Sequence, residues 1–170
     1  SLGDHLYQLA RGIDHRAVEP ESEAQSMSRE VTFDVDIDDL SRLRSVLAEL
    51  VADVGARLRK ERLFARTVTL KVRYPDFTTL TRRRTMATPF QDDDRIFAQA
   101  WSLFCSIEGR QPLRLLGVGV TDFVETQQVS LFDDDNRSEA VSLVMDAINA
   151  RAGERLIRRG RELYRPDRPG

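Results

Sequence analysis

The sequence predicts an α+β domain of order β-α-β-β-α-β, a four-stranded sheet with two helices on one face and a further helix towards the C-terminus. Two stretches of apolar alternation, two apolar stripes at helical spacing, and the turn chemistry between them carry that expectation.

Residues 31–37 read VTFDVDI, with Val31, Phe33, Val35 and Ile37 alternating against Thr32, Asp34 and Asp36, the pattern of a half-buried strand. Asp38 and Asp39 then offer N-caps. Leu40, Leu43, Leu47, Leu50, Val51, Val54 and Leu58 recur at helical spacing, so an amphipathic helix runs to about Arg59. In 66–74, Val68, Leu70, Val72 and Tyr74 point one way and Thr67, Thr69, Lys71 and Arg73 the other. Pro75-Asp76 makes a turn, and the Thr- and Arg-rich stretch 77–87 returns as the second arm of a hairpin. Thr88-Pro89 is expected to open the next helix, whose stripe is Ile96, Ala100, Leu103, Phe104 and Ile107, with Trp101 beside it, and Gly109 to end it. Cys105 is expected to be a packing residue there. Residues 113–124 form the last strand, in which Gly117 and Gly119 permit a bulge or a close backbone approach.

Length and composition bound the rest. The 170 residues suit one domain with appendages, and a 41% apolar content is enough for a core. A single cysteine excludes an internal disulfide and a cysteine-type zinc site. The only histidines, His5 and His15, form no cluster for metal or nucleophilic chemistry. No apolar run is long enough to span a membrane, and the charged start holds no secretion core. A start without Met predicts a piece of a longer chain, and a reducing, cytoplasmic setting is expected.

The net charge of −2 hides an asymmetry. Residues 57–84 hold ten basic and two acidic residues, 85–150 four basic and eleven acidic, and 151–170 seven Arg against three acids. A basic stretch within folded sequence is an electrostatic footprint for polyanions, although Arg-rich solvated surfaces are also common. The strand face carrying Thr69, Lys71 and Arg73 is built of hydroxyls and cations that suit phosphate oxygens, although Thr also favours strands in general. It has no aromatic, which disfavours an RNA-stacking sheet.

Residues Gln128-Val129-Ser130-Leu131-Phe132 stand ahead of the acidic run Asp133-Asp134-Asp135. Leu131 and Phe132 can enter an apolar pocket while Gln128 bonds its rim; each buried anchor is worth about 1.5–3 kcal/mol. Those five residues resemble the bacterial sliding-clamp-binding motif, glutamine, two positions, then Leu-Phe.

The order of the remaining motifs resembles the C-terminal part of Y-family translesion DNA polymerases, in their DNA polymerase IV branch. Leu6-Tyr7, Ala10-Arg11-Gly12 and Asp14-His15-Arg16 resemble the end of the thumb. Ser26-Met27-Ser28-Arg29-Glu30-Val31-Thr32-Phe33 resembles the opening of the little finger, with Gln25 where the family has Lys. Tyr74-Pro75-Asp76-Phe77 with Thr79, Thr81 and Arg82 resembles its hairpin, and Arg114-Leu115-Leu116-Gly117-Val118 its last strand. Ala147-Ile148-Asn149 and Ile157-Arg158-Arg159-Gly160 resemble the branch's extra C-terminal helix.

The resemblance implies thumb end at 1–19, linker at 20–28, little finger at 29–126, clamp peptide at 127–135 and helical tail at 136–170. It implies a DNA-binding set of Ser26, Ser28, Arg29, Lys71, Arg73, Thr79, Thr81, Arg82, Arg83 and Arg114, and clamp binding by Gln128 to Phe132. The expected partners are primer–template DNA, gripped without sequence preference, and the bacterial beta sliding clamp. Catalytic and metal residues are expected to be none here, with no cofactor in this chain. Mg²⁺ belongs to the palm of the parent polymerase. Asp92-Asp93-Asp94 reads instead as favourable charge at a helix start. A protein-interaction module is the alternative, because Ala140, Val141, Val144, Met145 and Ile148 give the C-terminal helix an apolar stripe.

Overall fold

The sheet contains β1 (Ser26–Ile37), β2 (Ala65–Arg73), β3 (Thr79–Phe90) and β4 (Leu113–Thr121), in the spatial order β1-β4-β2-β3 with every neighbouring pair antiparallel. Helix α2 (Leu40–Lys60) connects β1 to β2, and α3 (Asp93–Cys105) connects β3 to β4. Each crossover skips one strand position, and the other crossover fills it. This computed structural model describes residues 2–14, 25–109, 111–125 and 136–163. They include α1 (Leu2–Ala10), which buries none of its residues, and α4 (Asn136–Ala152), followed by a 3₁₀ turn at Gly160–Glu162.

Both crossover helices lie on one face. α2 packs on β1 and β4, α3 on β2 and β3. Between them and the sheet lie Leu43, Leu47, Val51, Val54 and Leu58 of α2, and Ile96, Ala100, Leu103 and Phe104 of α3. They meet Val68, Leu70, Val72, Leu116, Val118 and Val120 of the strands. The Asp39 carboxylate caps α2, accepting from the Ser41 and Arg42 amides at 2.8 and 3.1 Å.

Several expectations need correction. β1 begins at Ser26, inside the stretch read as linker. Val35 is 77% exposed because the β1–β4 register shifts between Thr32 and Ile37, which breaks the alternation. Leu40 lies exposed on the first turn of α2. Thr88-Pro89 does not open a helix: β3 continues to Phe90, which is buried and pairs with Ala65 across a register shift. Proline is tolerated because β3 is an edge strand and irregular there. α3 starts instead at Asp93, capped by Asp92, whose carboxylate accepts from the Arg95 amide at 2.8 Å. Cys105 is exposed on the last turn of α3. β4 stops at Thr121, where Asp122 takes a φ of +59°, and only an isolated bridge from Val124 to Phe64 follows.

The acidic run at 92–94 does more than favour a helix start. Arg59, buried on α2, donates to Asp93 at 2.7 Å and to Asp146 of α4 at 2.5 Å. Asp94 accepts from the Ser138 hydroxyl, from Arg161, and from Arg159 at 2.6 Å. These ion pairs dock α4 and the tail on α2 and α3. Burial pushes the Asp93 carboxyl up against the pull of Arg59 and Arg159. At Asp94 burial is outweighed, and the Ser138 hydroxyl, Arg161 and Arg159 hold the carboxyl below its ordinary range. The outer side of α4 leaves Val141, Val144 and Ile148 exposed, while Met145 of the same stripe is half-buried and lines the cleft beside α2.

Gly55 makes the Arg59–Asp93 contact possible, because a Cβ there would stand 2.0 Å from Asp93 Oδ1. Alanine gains about 1 kcal/mol of helix propensity, whereas breaking a buried ion pair costs about 3–5 kcal/mol. Gly55→Ala should therefore lower stability by about 2–4 kcal/mol in urea unfolding; a stabilised variant would refute the packing argument.

Candidate nucleic-acid interface

The register across the four strands fixes what stands on the face away from the helices. Four rows cross it in the order β1, β4, β2, β3. They are Ser26–Thr121–Thr67–Thr85, Ser28–Gly119–Thr69–Arg83, Glu30–Gly117–Lys71–Thr81 and Thr32–Leu115–Arg73–Thr79. Of these sixteen positions nine carry hydroxyls, three are cations and one, Glu30, is an acid. The surface is thus rich in neutral donors and net positive.

The middle of β4 has no side chain on this face. A Cβ on Gly117 would meet Glu30 Cβ at 2.9 Å, and one on Gly119 would meet Ser28 Cβ at 3.1 Å. The two glycines permit close approach of β1 rather than a bulge. Together they floor a trough of about 250 Å³ whose walls include Ser26, Ser28, Thr69, Lys71, Thr81 and Thr121. A larger cleft of about 500 Å³ lies between α2 and α4, but its Arg59, Asp93, Asp146, Arg155 and Glu162 lining is consumed by ion pairs that hold the tail.

Local contacts order the face. Lys71 Nζ reaches across β4 to Glu30 Oε2 at 2.9 Å, and Arg73 Nε donates to Thr79 Oγ1 at 2.8 Å. The Thr67 hydroxyl is buried and donates to Asp122, with the Thr85 hydroxyl 2.7 Å away. The hairpin between β2 and β3 closes on Asp76, which accepts from the amide and the hydroxyl of Thr78 and is thereby held below the ordinary carboxylate range. Phe77 at its tip is 65% exposed, has a φ of +66°, and lies 4.9 Å beneath the Arg114 guanidinium.

Of the ten residues expected to bind DNA, Ser26, Ser28, Lys71, Arg73, Thr79, Thr81 and Arg83 share this face. Arg29 does not: it pairs with Val118 on the helix side, with Asp53 of α2 at 3.5 Å. Arg82 stands opposite Leu70, also on the helix side, as does Arg84, which donates to Gln99 and Ser102 of α3. Arg114 is engaged at the sheet's end by Asp36 at 3.3 Å and by Phe77. Thr32, Thr67, Thr85, Thr121, Glu30 and the glycine floor were missing from the expected set. Period-2 parity from Lys71 identifies Thr67, and the i, i+2 spacing of Gly117 and Gly119 puts both on one face. Gln128, Val129, Ser130, Leu131 and Phe132 lie outside the described residues. Among the described residues no group of His, Cys, Asp and Glu is arranged to hold a metal, and no helix is long and apolar enough to cross a membrane.

The comparisons with known proteins agree with this architecture. The impB/mucB/samB family C-terminal domain matches residues 24–132. DNA polymerase IV 1 of Mesorhizobium japonicum is 37% identical over 176 residues, covering 98% of this chain and 40% of its own length. DNA polymerase IV of Dehalococcoides mccartyi strain CBDB1 is 39% identical over 160 residues, covering 92% and 41%. DNA polymerase IV 1 of Bacillus subtilis is 32% identical over 173 residues, covering 97% and 42%. The chain belongs to the impB/mucB/samB family as the C-terminal domain of a Y-family polymerase. It spans about two fifths of the length of the curated relatives it matches.

The glycine floor yields a direct check. Gly117→Ala should cost about 1–3 kcal/mol through overpacking against Glu30, read as a lower urea midpoint. An unchanged midpoint would mean that β1 and β4 are not held that closely.

Proposed function

We propose that this chain is the DNA-gripping and clamp-recruiting part of an error-prone translesion DNA polymerase. The observation that supports it is the uncovered face itself: hydroxyls and cations flank a trough floored by Gly117 and Gly119. Hydroxyl and cationic donors suit phosphate oxygens, and glycine lets a backbone come close. None of the sixteen positions is aromatic, so the face has no platform on which to stack unpaired bases. Duplex DNA is therefore held by its phosphates, without sequence preference, and the sparse contacts tolerate a distorted template.

Nucleotidyl transfer belongs to the parent's palm, whose carboxylates would hold two Mg²⁺ ions. Here Asp92, Asp93 and Asp94 are engaged as cap and ion-pair partners. Residues 128–132 recruit the polymerase to the beta sliding clamp through Leu131 and Phe132. A second reading, a protein-interaction module, is favoured by the outward Val141, Val144 and Ile148 of α4.

Two experiments test the reading. With Lys71, Arg73 and Arg83 as the cations of the face, log K for a primer–template duplex should fall with log salt at a slope of about −2 to −3, and Arg73→Ala with Arg83→Ala should flatten it by about 2. A flat salt response in the wild type would contradict phosphate binding. In a pull-down with the beta clamp, Leu131→Ala with Phe132→Ala should abolish capture while the melting temperature stays unchanged. Retained capture would discard the peptide assignment, and clamp capture without any DNA binding would favour the interaction module.

A further inference from the structure

We propose that Glu30 is an internal competitor for the DNA phosphate: its carboxylate occupies, above Gly117, the place on Lys71 that a phosphate takes. The inference rests on the reading of the open face as the duplex-binding surface. Glu30 is the single acid among the sixteen positions of that face and stands in the same row as Lys71. The two residues are two strands apart, roughly 9–10 Å between backbones, yet their charged ends meet at 2.9 Å. They meet because Gly117 lies between them with no side chain to intervene.

The pair is exchangeable. Lys71 is 35% and Glu30 50% exposed, so the contact is solvated and weak. A carboxylate and a phosphate oxygen offer an ammonium group the same kind of charge-assisted hydrogen bond. When a phosphate enters the trough, Lys71 changes partner and the Glu30 carboxylate is left to gather a counterion from solvent. The uptake of that cation cancels one of the cations that DNA releases, so the exchange lowers both the affinity and its salt dependence. Arg73, by contrast, is held by the neutral hydroxyl of Thr79, which exacts no such exchange. Glu30 thus limits the grip of the face without altering its shape.

The test is fluorescence anisotropy of a labelled primer–template duplex titrated with the 170-residue chain, across about 50–200 mM salt. Glu30→Gln keeps the side-chain size and removes the charge. It should bind about two- to fivefold tighter at low salt, with a slope steeper by about 0.9. In a Lys71→Ala background the same substitution should change affinity by less than about twofold, since the competitor has lost its target. Matching thermal melts of the variants show that folding is not the cause. Tighter binding that depends on Lys71 supports the proposal. Unchanged or weaker binding by Glu30→Gln, or a gain that persists in Lys71→Ala, overturns it while leaving the duplex-binding surface intact. Absence of duplex binding by the wild type overturns the surface and this inference together.

Discussion

Both crossover helices press against the same side of the sheet, where Val68, Leu70, Val72, Leu116, Val118 and Val120 are buried. That one-sided burial governs the molecule. Each buried aliphatic side chain contributes about 1.5–3 kcal/mol, so the fold obtains most of its stability from the helix side. Because strand side chains alternate, the residues between these core positions are committed to the bare face. Thr69, Lys71 and Arg73 stand there because Val68, Leu70 and Val72 do not. The same alternation in β4 leaves Gly117 and Gly119 beside them, and the trough follows.

Charge is divided by the same plane. On the helix side cations serve the fold. Arg59 joins α2 to α3 and α4, Arg29 meets Asp53, and Arg84 meets the side chains of Gln99 and Ser102. Arg159 and Arg161 hold the tail on Asp94, and Arg161 also lies 4.8 Å over the Phe97 ring. The basic stretch at 57–84 is therefore a smaller footprint than its composition suggests. Lys71, Arg73 and Arg83 are what it contributes to the open face. They stand there as a few cations among many hydroxyls.

Local patterns were legible in the sequence and distant pairings were not. The alternation in β2 and the stripes of α2 and α3 are properties of neighbouring residues, and the structure follows them. Val35 escapes its alternation because a register shift is decided between strands, not along one. Arg82 and Arg83 look alike in sequence, yet one faces the helices and the other the open side, which only the pairing with β2 reveals. The Arg59–Asp146 pair spans 87 residues and left no local signal at all. The two glycines of β4 were visible as candidates for close approach, but their partners Ser28 and Glu30 came from the register.

The central claim is that duplex DNA meets the sheet and not the helices. Backbone-amide NMR of the chain titrated with a primer–template duplex tests it most directly. Shift changes gathered on Ser28, Thr69, Lys71, Thr81, Arg83, Gly117 and Gly119 are the predicted result. Changes confined to α2, α3 and α4, with these amides undisturbed, would contradict it.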